Sequence, residues 1–327
     1  MKTFLSILFT CAIFAFAHAQ ASKLDFLERP DSLNKPRFWA STGTAMTIYS
    51  TASIGLWNVW YKDFPLTSFH TFDDSGEWED MDKVGHVFSA YIEGSNYYKA
   101  MRWTGLNHKK SILAGAIFGT VIQGTFEVMD GYSEKWGFSW YDIGANTAGV
   151  GLFAAQEFAW QEQRMVMKVS TWRPDYSTTP LLSLDGSASS SLEQRATALY
   201  GKSFWQVLVK DYNAQTLWLS INPRSFMKQK ETKFPKWLNI AVGYGAENMF
   251  GGFANSWSED GVAYALDTEA YPRYRQLYLS LDIDVTRLNI KNKYLRVLVN
   301  GLNWIKIPAP ALELNTLGQV KFHPIYW

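Results

Sequence analysis

The sequence contains almost no cysteine, and its charged residues nearly cancel. Its single cysteine among 327 residues is Cys11, so the chain can form no intramolecular disulfide and must be held together by its core. The 31 lysines and arginines face 30 aspartates and glutamates, which gives a net charge of +1. This balance gives no sign of an electrostatic partner such as nucleic acid or an anionic membrane surface. The composition therefore predicts that the protein does not bind nucleic acid.

The chain also lacks the short motifs that mark several common enzyme chemistries. It contains no G-x-S-x-G elbow, no H-E-x-x-H pair and no G-x-x-x-x-G-K phosphate loop. Gly243 and Gly245 stand two apart, but the third glycine of a dinucleotide fingerprint is missing, and we interpret the pair as a turn at the end of a strand. The motifs therefore predict no nucleotide partner, and no motif in the sequence indicates a particular cofactor.

The first 19 residues have the pattern of a secretory signal peptide. A basic start is followed by an apolar run over 3–16 and by a small-x-small cleavage pattern that ends at Ala19. The residues before Cys11 are bulky, which does not fit the small residue expected before a lipidated cysteine. We therefore predict cleavage after Ala19, no lipid anchor, and an exported protein in the periplasm or at a membrane of a Gram-negative cell envelope.

Apolar helices are predicted in the first half of the chain. Residues 38–61 form a run of 24 residues without a charge, long enough to cross a bilayer. Three further helical segments are predicted at 81–103, 111–129 and 139–161. Gly115 and Gly119 stand four apart, a spacing that lets helix backbones approach closely. The mean hydropathy of −0.16 is low for a polytopic membrane protein.

These patterns predict an α+β protein in four parts. We expect the signal peptide at 1–19 and a bundle of about four apolar helices at 20–165. A linker and a possible helix are expected at 166–202, and a mixed region with a few short strands at 203–327. The possible helix covers residues 193–209 and so crosses the boundary between these two parts. Apolar and polar residues alternate over 279–286, which predicts a strand with Leu279 and Leu281 inward and Asp282 on a solvated face. Residues 238–244 alternate in the same way, and 217–221 form a weaker strand candidate.

Polar residues recur at helical spacing in three of the predicted helices, on otherwise apolar segments. They are Asp82, Lys83, His86 and Glu93; Gln123, Glu127 and Asp130; and Ser139, Asp142 and Asn146. Burying an unpaired carboxylate is costly, so such groups normally pair, bind an ion or face a cavity. We therefore predict that they converge on one internal cluster, in which His86, Glu127 and Asp142 are the candidate catalytic residues.

A purely structural interpretation of the same residues remains open. Ser139 with Asp142 three residues later forms a capping box, which would satisfy free amides at the start of a helix. Asp82 lies in the first turn of its helix, where a carboxylate interacts favourably with the helix dipole. His86 alone is more often a hydrogen-bonded core residue than a ligand.

Three motifs in this order resemble a known family. They are D-K-x-x-H at 82–86, the glutamate at 127, and S-x-x-D-x-x-x-N-x-x-G at 139–149. Residues 38–160 resemble the YfiM-type exported proteins (domain of unknown function 2279), with a more distant similarity to VanZ-like membrane proteins. The chain lacks the arginine that usually precedes the serine block of the VanZ-like family. The resemblance implies an exported or envelope location and no established activity.

Two functions fit these observations, and the sequence does not choose between them. The first is a structural or accessory envelope protein in which the polar residues form a hydrogen-bond network. The alternative is a membrane-proximal enzyme that acts on an envelope lipid or a cell-wall precursor. In that case the histidine and carboxylates would act as acid and base, or would bind Mg, Mn, Ca or Zn. Aromatic residues make up 16% of the chain, which suggests either a large core or a protein that works at a membrane boundary. The expected partners are the envelope membrane or envelope proteins.

Overall fold

The computed structural model describes residues 26–61, 64–227 and 233–327. The predicted signal peptide, residues 1–19, lies outside these residues. The chain divides into two compact units. The helical unit comprises the chain up to Asp73 together with Ser89–Gln163, and the sheet unit comprises Asp74–Phe88 together with Arg164–Trp327. The sheet unit therefore takes one of its segments from the middle of the region in which the sequence predicts only helices.

Four long helices occupy the first half of the chain, close to the predicted positions. They are α1 Lys35–Leu56, α2 Met81–Trp103, α3 His108–Gly131 and α4 Trp140–Trp160. Side chains at their N-termini explain several starts. Asn34 accepts the backbone N–H of Arg37 at 3.1 Å, and Asn107 accepts that of Lys110 at 2.9 Å. A short π-helical turn, Trp57–Tyr61, follows α1.

The α+β class is confirmed, but the predicted bundle of four apolar helices is not. Arg37 is the only buried residue of α1, and the first eight residues of α2 belong to the sheet unit. Among the described residues, only α3 is long and apolar enough to cross a membrane by length and composition. Helix α1, whose uncharged run begins only after Arg37, does not meet that criterion. Core helices of soluble proteins can satisfy the same criterion.

Glycines bring the backbones of two helices of the helical unit into contact. A Cβ at Gly115 of α3 would lie 2.5 Å from the carbonyl oxygen of Gly94 on α2 and 3.1 Å from the ring of Phe153 on α4. A Cβ at Gly119 would lie 3.1 Å from the carbonyl oxygen of Ala90. The close approach predicted from the spacing of Gly115 and Gly119 is therefore present.

Replacing Gly115 with alanine should destabilise the protein by about 1–3 kcal/mol, because the added methyl group meets backbone that cannot move aside cheaply. The matched control is Gly124→Ala in the same helix, where no atom lies within 4 Å of the new Cβ. That change should stabilise the helix by up to about 1 kcal/mol through helix propensity. Urea unfolding of both variants measures the difference, and equal effects of the two changes would contradict the packing argument.

Ten strands are present in the described part of the sheet unit. They are β1 Met165–Thr171, β2 Leu181–Leu182, β3 Ser189–Ser190, β4 Gln215–Ile221, β5 Leu238–Glu247, β6 Ser256–Glu259, β7 Val262–Ala265, β8 Tyr274–Ile283, β9 Ala309–Asn315 and β10 Val320–Tyr326. Six of them form one antiparallel sheet in the order β1-β4-β5-β8-β9-β10. The predicted mixed region with a few short strands is therefore corrected to a large sheet, two strands of which are ten residues long.

The six-stranded sheet curls strongly. Thr216 on β4 and Tyr326 on β10 approach to 3.0 Å between their hydroxyl oxygens, although three strands separate β4 from β10. In a flat sheet these strands would lie about 19 Å apart. At the other edge, Val169 of β1 exchanges backbone hydrogen bonds with Trp304 and Lys306, just before β9. Since Thr216 and Tyr326 meet across the sheet, the face that carries them is the concave one.

The two faces of this sheet have the opposite polarity to that predicted. Leu279 and Leu281 are 53% and 48% exposed, whereas Asp282 on the same strand is 1% exposed. On β5, Ile240 and Val242 are likewise exposed. The predicted strands overlap β4, β5 and β8, although β8 ends at Ile283 and not at residue 286. Their inward faces were wrong, because alternation shows which residues share a face and not which face closes on itself.

Three helices complete the sheet unit: α5 Leu192–Tyr200, α6 Phe204–Lys210 and α7 Lys293–Gly301. The single helix predicted over 193–209 is thus two helices, each started by a serine cap. Gly243 and Gly245 lie inside β5 rather than in a turn. A Cβ at Gly243 would lie 2.6 Å from the Trp218 ring, so this glycine makes room for an indole that packs on the strand.

Candidate functional site

The first turns of α2 carry a charged cluster inside the sheet unit. Asp82 accepts hydrogen bonds from Lys83 Nζ at 3.0 Å and from the Tyr212 hydroxyl at 2.7 Å. His86, one turn later, places Nε2 3.8 Å from Asp82 Oδ1. Lys83 also donates to Asp74 Oδ2 at 2.5 Å. The D-K-x-x-H motif therefore forms a polar cluster in which Asp82 accepts from Lys83 and Tyr212 and lies beside His86.

This arrangement shifts the proton affinity of two carboxyl groups. Burial alone would raise the pKa of Asp82, but the neighbouring charges of His86 and Lys83 and the Tyr212 hydrogen bond lower it below its ordinary value. Burial raises the pKa of Glu77 to about 7, and the negative charge of Asp82 adds to this. The cluster thus pairs a firmly ionised Asp82 with a carboxyl group that titrates near neutral pH.

A strained turn precedes α2 in the sheet unit. Trp78, Glu79 and Asp80 have φ angles of 51°, 52° and 62°, in the left-handed region that side-chain-bearing residues rarely adopt. Glu79 is held by Arg273 and Arg275, each at 3.0 Å between a guanidinium Nε and a carboxylate oxygen. These ion pairs fix the turn that presents Asp82 and His86 at the start of the helix.

A second group of predicted site residues lies in the helical unit, at the start of α4. The Ser139 hydroxyl accepts the backbone N–H of Asp142 at 3.0 Å, and the Ser139 N–H donates to Glu127 Oε2 at 3.3 Å. Glu127, Asp142 and Asn146 are 1%, 5% and 4% exposed. The predicted cap at Ser139 is therefore present, and a buried glutamate from α3 extends it.

Two further pairs join elements of the helical unit. Gln123 on α3 donates to both carboxylate oxygens of Glu93 on α2, at 2.9 and 3.0 Å. The Tyr61 hydroxyl donates to Asp130 at 2.6 Å. Burial, with the added charge and hydrogen bond of Asp130, raises the pKa of Tyr61 well above its ordinary value. Each of these carboxylates has a neutral donor as partner.

Within each unit, the structure brings several of the predicted residues together. Asp82, Lys83 and His86 meet in the sheet unit. Glu127, Ser139 and Asp142 form a bonded group in the helical unit, where Glu93 is bonded to Gln123 and Asp130 to Tyr61. The convergence of all the predicted residues on a single site stays a prediction, and so do the catalytic roles of His86, Glu127 and Asp142.

Several partners in these groups have no local signal in the sequence. Tyr212 lies 130 residues from Asp82, and Tyr61 lies 69 residues from Asp130. Neither belongs to a recognisable motif, so only the folded chain identifies them. Asp74, in contrast, belongs to an acid-rich loop that is easily seen in the sequence. It is only 5% exposed, whereas the residues on either side of it are exposed.

A further polar network, which the sequence did not predict, lies on the concave face of the sheet. Lys168 Nζ is 2.7 Å from Asp282 Oδ2, and both side chains are fully buried. Asp282 also accepts from the Ser220 hydroxyl at 2.6 Å. Lys306 donates to the carbonyl oxygens of Leu281 and Ile307, each at 2.7 Å. Burial lowers the pKa of Lys306 to about 8, although the charge of Asp282 opposes this shift.

Comparison with known proteins finds a family model that matches part of the chain. Residues 71–156 match the model of a family described as predicted periplasmic lipoprotein (DUF2279). The matched segment, which we call the family segment, contains every predicted site residue. The resemblance to this family is therefore confirmed over residues 71–156 of the predicted range 38–160. It also supports an exported protein of the cell envelope. No curated protein and no solved structure matches the chain.

Two details of the sequence interpretation are not supported by this match. The family model gives no support to the more distant similarity to VanZ-like membrane proteins. The family description names a lipoprotein, whereas the residues before Cys11 predict no lipid anchor. Cys11 and the predicted cleavage site after Ala19 lie outside the described residues, and both predictions stay as they were.

Proposed function

We propose that the protein is an exported accessory component of the cell envelope, in which the polar residues of the family segment form a structural network. The observation that carries this proposal is the bond between Glu127 Oε2 and the Ser139 N–H. A carboxylate at this position satisfies a backbone donor at the N-terminus of α4, where the helix dipole favours negative charge. Glu127 therefore holds α3 to the start of α4, and this role requires no substrate.

The other predicted site residues support the same interpretation. Glu93, Asp130 and Asp82 each accept a hydrogen bond from a side chain that is distant in sequence. Hydrogen bonds between side chains of different elements favour one arrangement of those elements, and breaking one of them leaves its partner unsatisfied at a cost. Such a network gives a protein a defined shape in the envelope without requiring a reaction.

Replacing Glu127 with glutamine should lower the free energy of unfolding by about 1–3 kcal/mol, because a charge-assisted bond to a buried amide becomes a neutral one. In a deletion strain complemented with the variant, any cellular defect should follow the loss of folded protein. The control is Glu134→Gln, which changes an exposed glutamate of the same unit. Urea unfolding and quantification of exported protein give the two readouts. A variant that is as stable as the wild type yet inactive in cells would contradict the structural role.

The second candidate is the membrane-proximal enzyme, and the cluster around Asp82 favours it. The imidazole of His86 lies beside an ionised carboxylate, and Glu77 titrates near neutral pH. A histidine and carboxyl groups in this arrangement can exchange protons or bind a divalent ion. The metal version is tested by dialysing the purified protein and its His86→Ala variant against Mg, Mn, Ca and Zn. Stoichiometric retention by the wild type alone would support it, and no retained ion would remove it.

A further inference from the structure

The convex face of the curled sheet exposes a continuous apolar surface. Register places rows of apolar residues across the strands, with Leu219, Val242, Leu279, Leu312 and Phe322 in the central row. We define the aliphatic face as nine side chains that are 40–68% exposed: Ile240, Val242, Leu277, Leu279, Leu281, Leu312, Leu314, Val320 and Phe322. Exposed apolar patches of this extent mark an interaction surface.

The opposite face of the same strands explains why these side chains point outward. The concave face carries the buried Lys168–Asp282 ion pair and the bond of Ser220 to Asp282. A slip of one residue would exchange the two faces and would separate these charges. The sheet therefore holds its polar side chains inside and its leucines outside. Strands that lie in apolar surroundings have the same arrangement, with apolar side chains outside and polar side chains inside.

A basic amphipathic helix lies at one end of this face. Helix α7 connects β8 to β9, and none of its residues is buried. Its apolar side chains share one side of the helix and are exposed: Tyr294, Leu295, Val297 and Leu298. Residues 288–305 contain three basic and no acidic residues. Among them are Lys293 and Arg296, which lie on the polar side of α7.

We propose that the sheet unit binds a lipid bilayer that contains anionic lipid. The aliphatic face and the apolar side of α7 enter the hydrocarbon, and the basic side chains of α7 contact the headgroups. Helices with this composition lie in membrane interfaces, where apolar burial and attraction to anionic lipids add together. The net charge of the whole chain is only +1, so this local excess of positive charge is balanced by acidic residues elsewhere in the chain.

The charge of α7 favours lipid over a second copy of the chain. A symmetric dimer through this surface would bring two basic helices towards each other, and like charges would oppose the contact. An anionic bilayer has the complementary charge. The proposal concerns the sheet and α7, so it does not depend on the function proposed for the family segment.

Flotation with vesicles tests this binding on the protein recovered after export. The wild type should float with phosphatidylethanolamine vesicles containing phosphatidylglycerol, and binding should fall several-fold in vesicles of phosphatidylcholine alone. Leu279→Glu on the sheet and Leu298→Glu on α7 should each weaken binding by about tenfold or more, because each places a charge in the hydrocarbon. The control is Leu184→Glu, which alters a leucine 71% exposed in a loop of the same unit and should bind like the wild type.

The outcomes separate lipid from other occupants. Failure of the wild type to float, or an equal loss of binding in the Leu184→Glu variant, would overturn the proposal. A dimer seen by sedimentation equilibrium that Leu279→Glu abolishes, without flotation, would assign the face to a second copy. Circular dichroism confirms that each variant is folded, and Leu298→Glu tests the proposal independently if Leu279→Glu unfolds the sheet.

A fluorescent label gives a direct readout of contact with hydrocarbon. Cleavage after Ala19 would remove Cys11, so Leu279→Cys and Leu184→Cys would each offer a single thiol for an environment-sensitive nitrobenzoxadiazole label. Emission from position 279 should shift to the blue on addition of anionic vesicles, and emission from position 184 should not. An unchanged spectrum at position 279 would overturn the proposed insertion of the sheet.

Discussion

Replacing Asp282 with asparagine should lower the free energy of unfolding by about 3–5 kcal/mol, because it leaves buried lysines without their anion. Lys168 and Lys306 are both fully buried, and Asp282 is the carboxylate that faces Lys168 at 2.7 Å. An amide keeps the shape and one acceptor but cannot balance an ammonium charge in a medium of low dielectric constant. Urea unfolding at pH 7 measures the loss.

Raising the pH should restore part of this stability. The pKa of Lys306 is about 8 in the folded protein against an ordinary value of 10.5, so between these values the unfolded chain binds more protons and stability rises with pH. Removing Asp282 takes away a charge that raises this pKa, so the variant should recover stability between pH 7 and 9.5.

Two further variants show whether the charge itself is responsible. Asp267→Asn makes the same change at an exposed aspartate of the same unit and should leave stability close to wild type. The double variant Asp282→Asn with Lys168→Met removes one of the two uncompensated cations, so it should be more stable than Asp282→Asn alone. If Asp282→Asn is no more harmful than Asp267→Asn, the ion pair does not stabilise the sheet.

Replacing Trp218 with alanine should also cost about 3–5 kcal/mol, because it empties the centre of the concave face. The indole is fully buried, lies 5.7 Å from the ring of Tyr278 between centroids, and donates from Nε1 to the Ser170 hydroxyl at 2.9 Å. Its loss leaves both a cavity and an unsatisfied hydroxyl. The control is Trp205→Ala, since Trp205 is 69% exposed.

A double-mutant cycle with Gly243 tests this packing directly. In the wild type, Gly243→Ala should destabilise the sheet, because the new Cβ would lie 2.6 Å from the indole. In the Trp218→Ala background that clash is gone, and the same change should be neutral or stabilising. Additive effects of the two changes in thermal unfolding would contradict the contact.

The helices of the first half could be predicted because their signals are local. Asn107 and Ser139 cap α3 and α4 within three residues of the donors that they satisfy, and the spacing of Gly115 and Gly119 is visible within one helix. The polarity of the sheet could not be predicted in this way. It depends on the contact between Tyr326 and Thr216 across the curled sheet. These residues are 110 positions apart in the sequence, so a local sequence pattern cannot reveal their contact.

The candidate site shows the same division between local and distant information. The spacing of Asp82 and His86 on one helix was enough to place them together, and the Ser139 cap followed from its own motif. Their partners came from elsewhere in the chain. Tyr212 reaches Asp82 from 130 residues away. The Lys168–Asp282 pair joins β1 to β8, and the alternation of β8 predicts a solvated aspartate.

The position of Asp74–Phe88 in the sheet unit has a consequence for how the protein is made. Glu79 finds Arg273 and Arg275 only 194 and 196 residues later, and Met81 packs in one cluster with Met249. At about 5–20 residues per second, synthesis delivers these partners some 10–40 seconds after the segment itself. During that interval the start of α2 has emerged without the strands that bury it. The segment Asp74–Phe88 therefore reaches its folded environment only after the strands of the sheet unit have been synthesised.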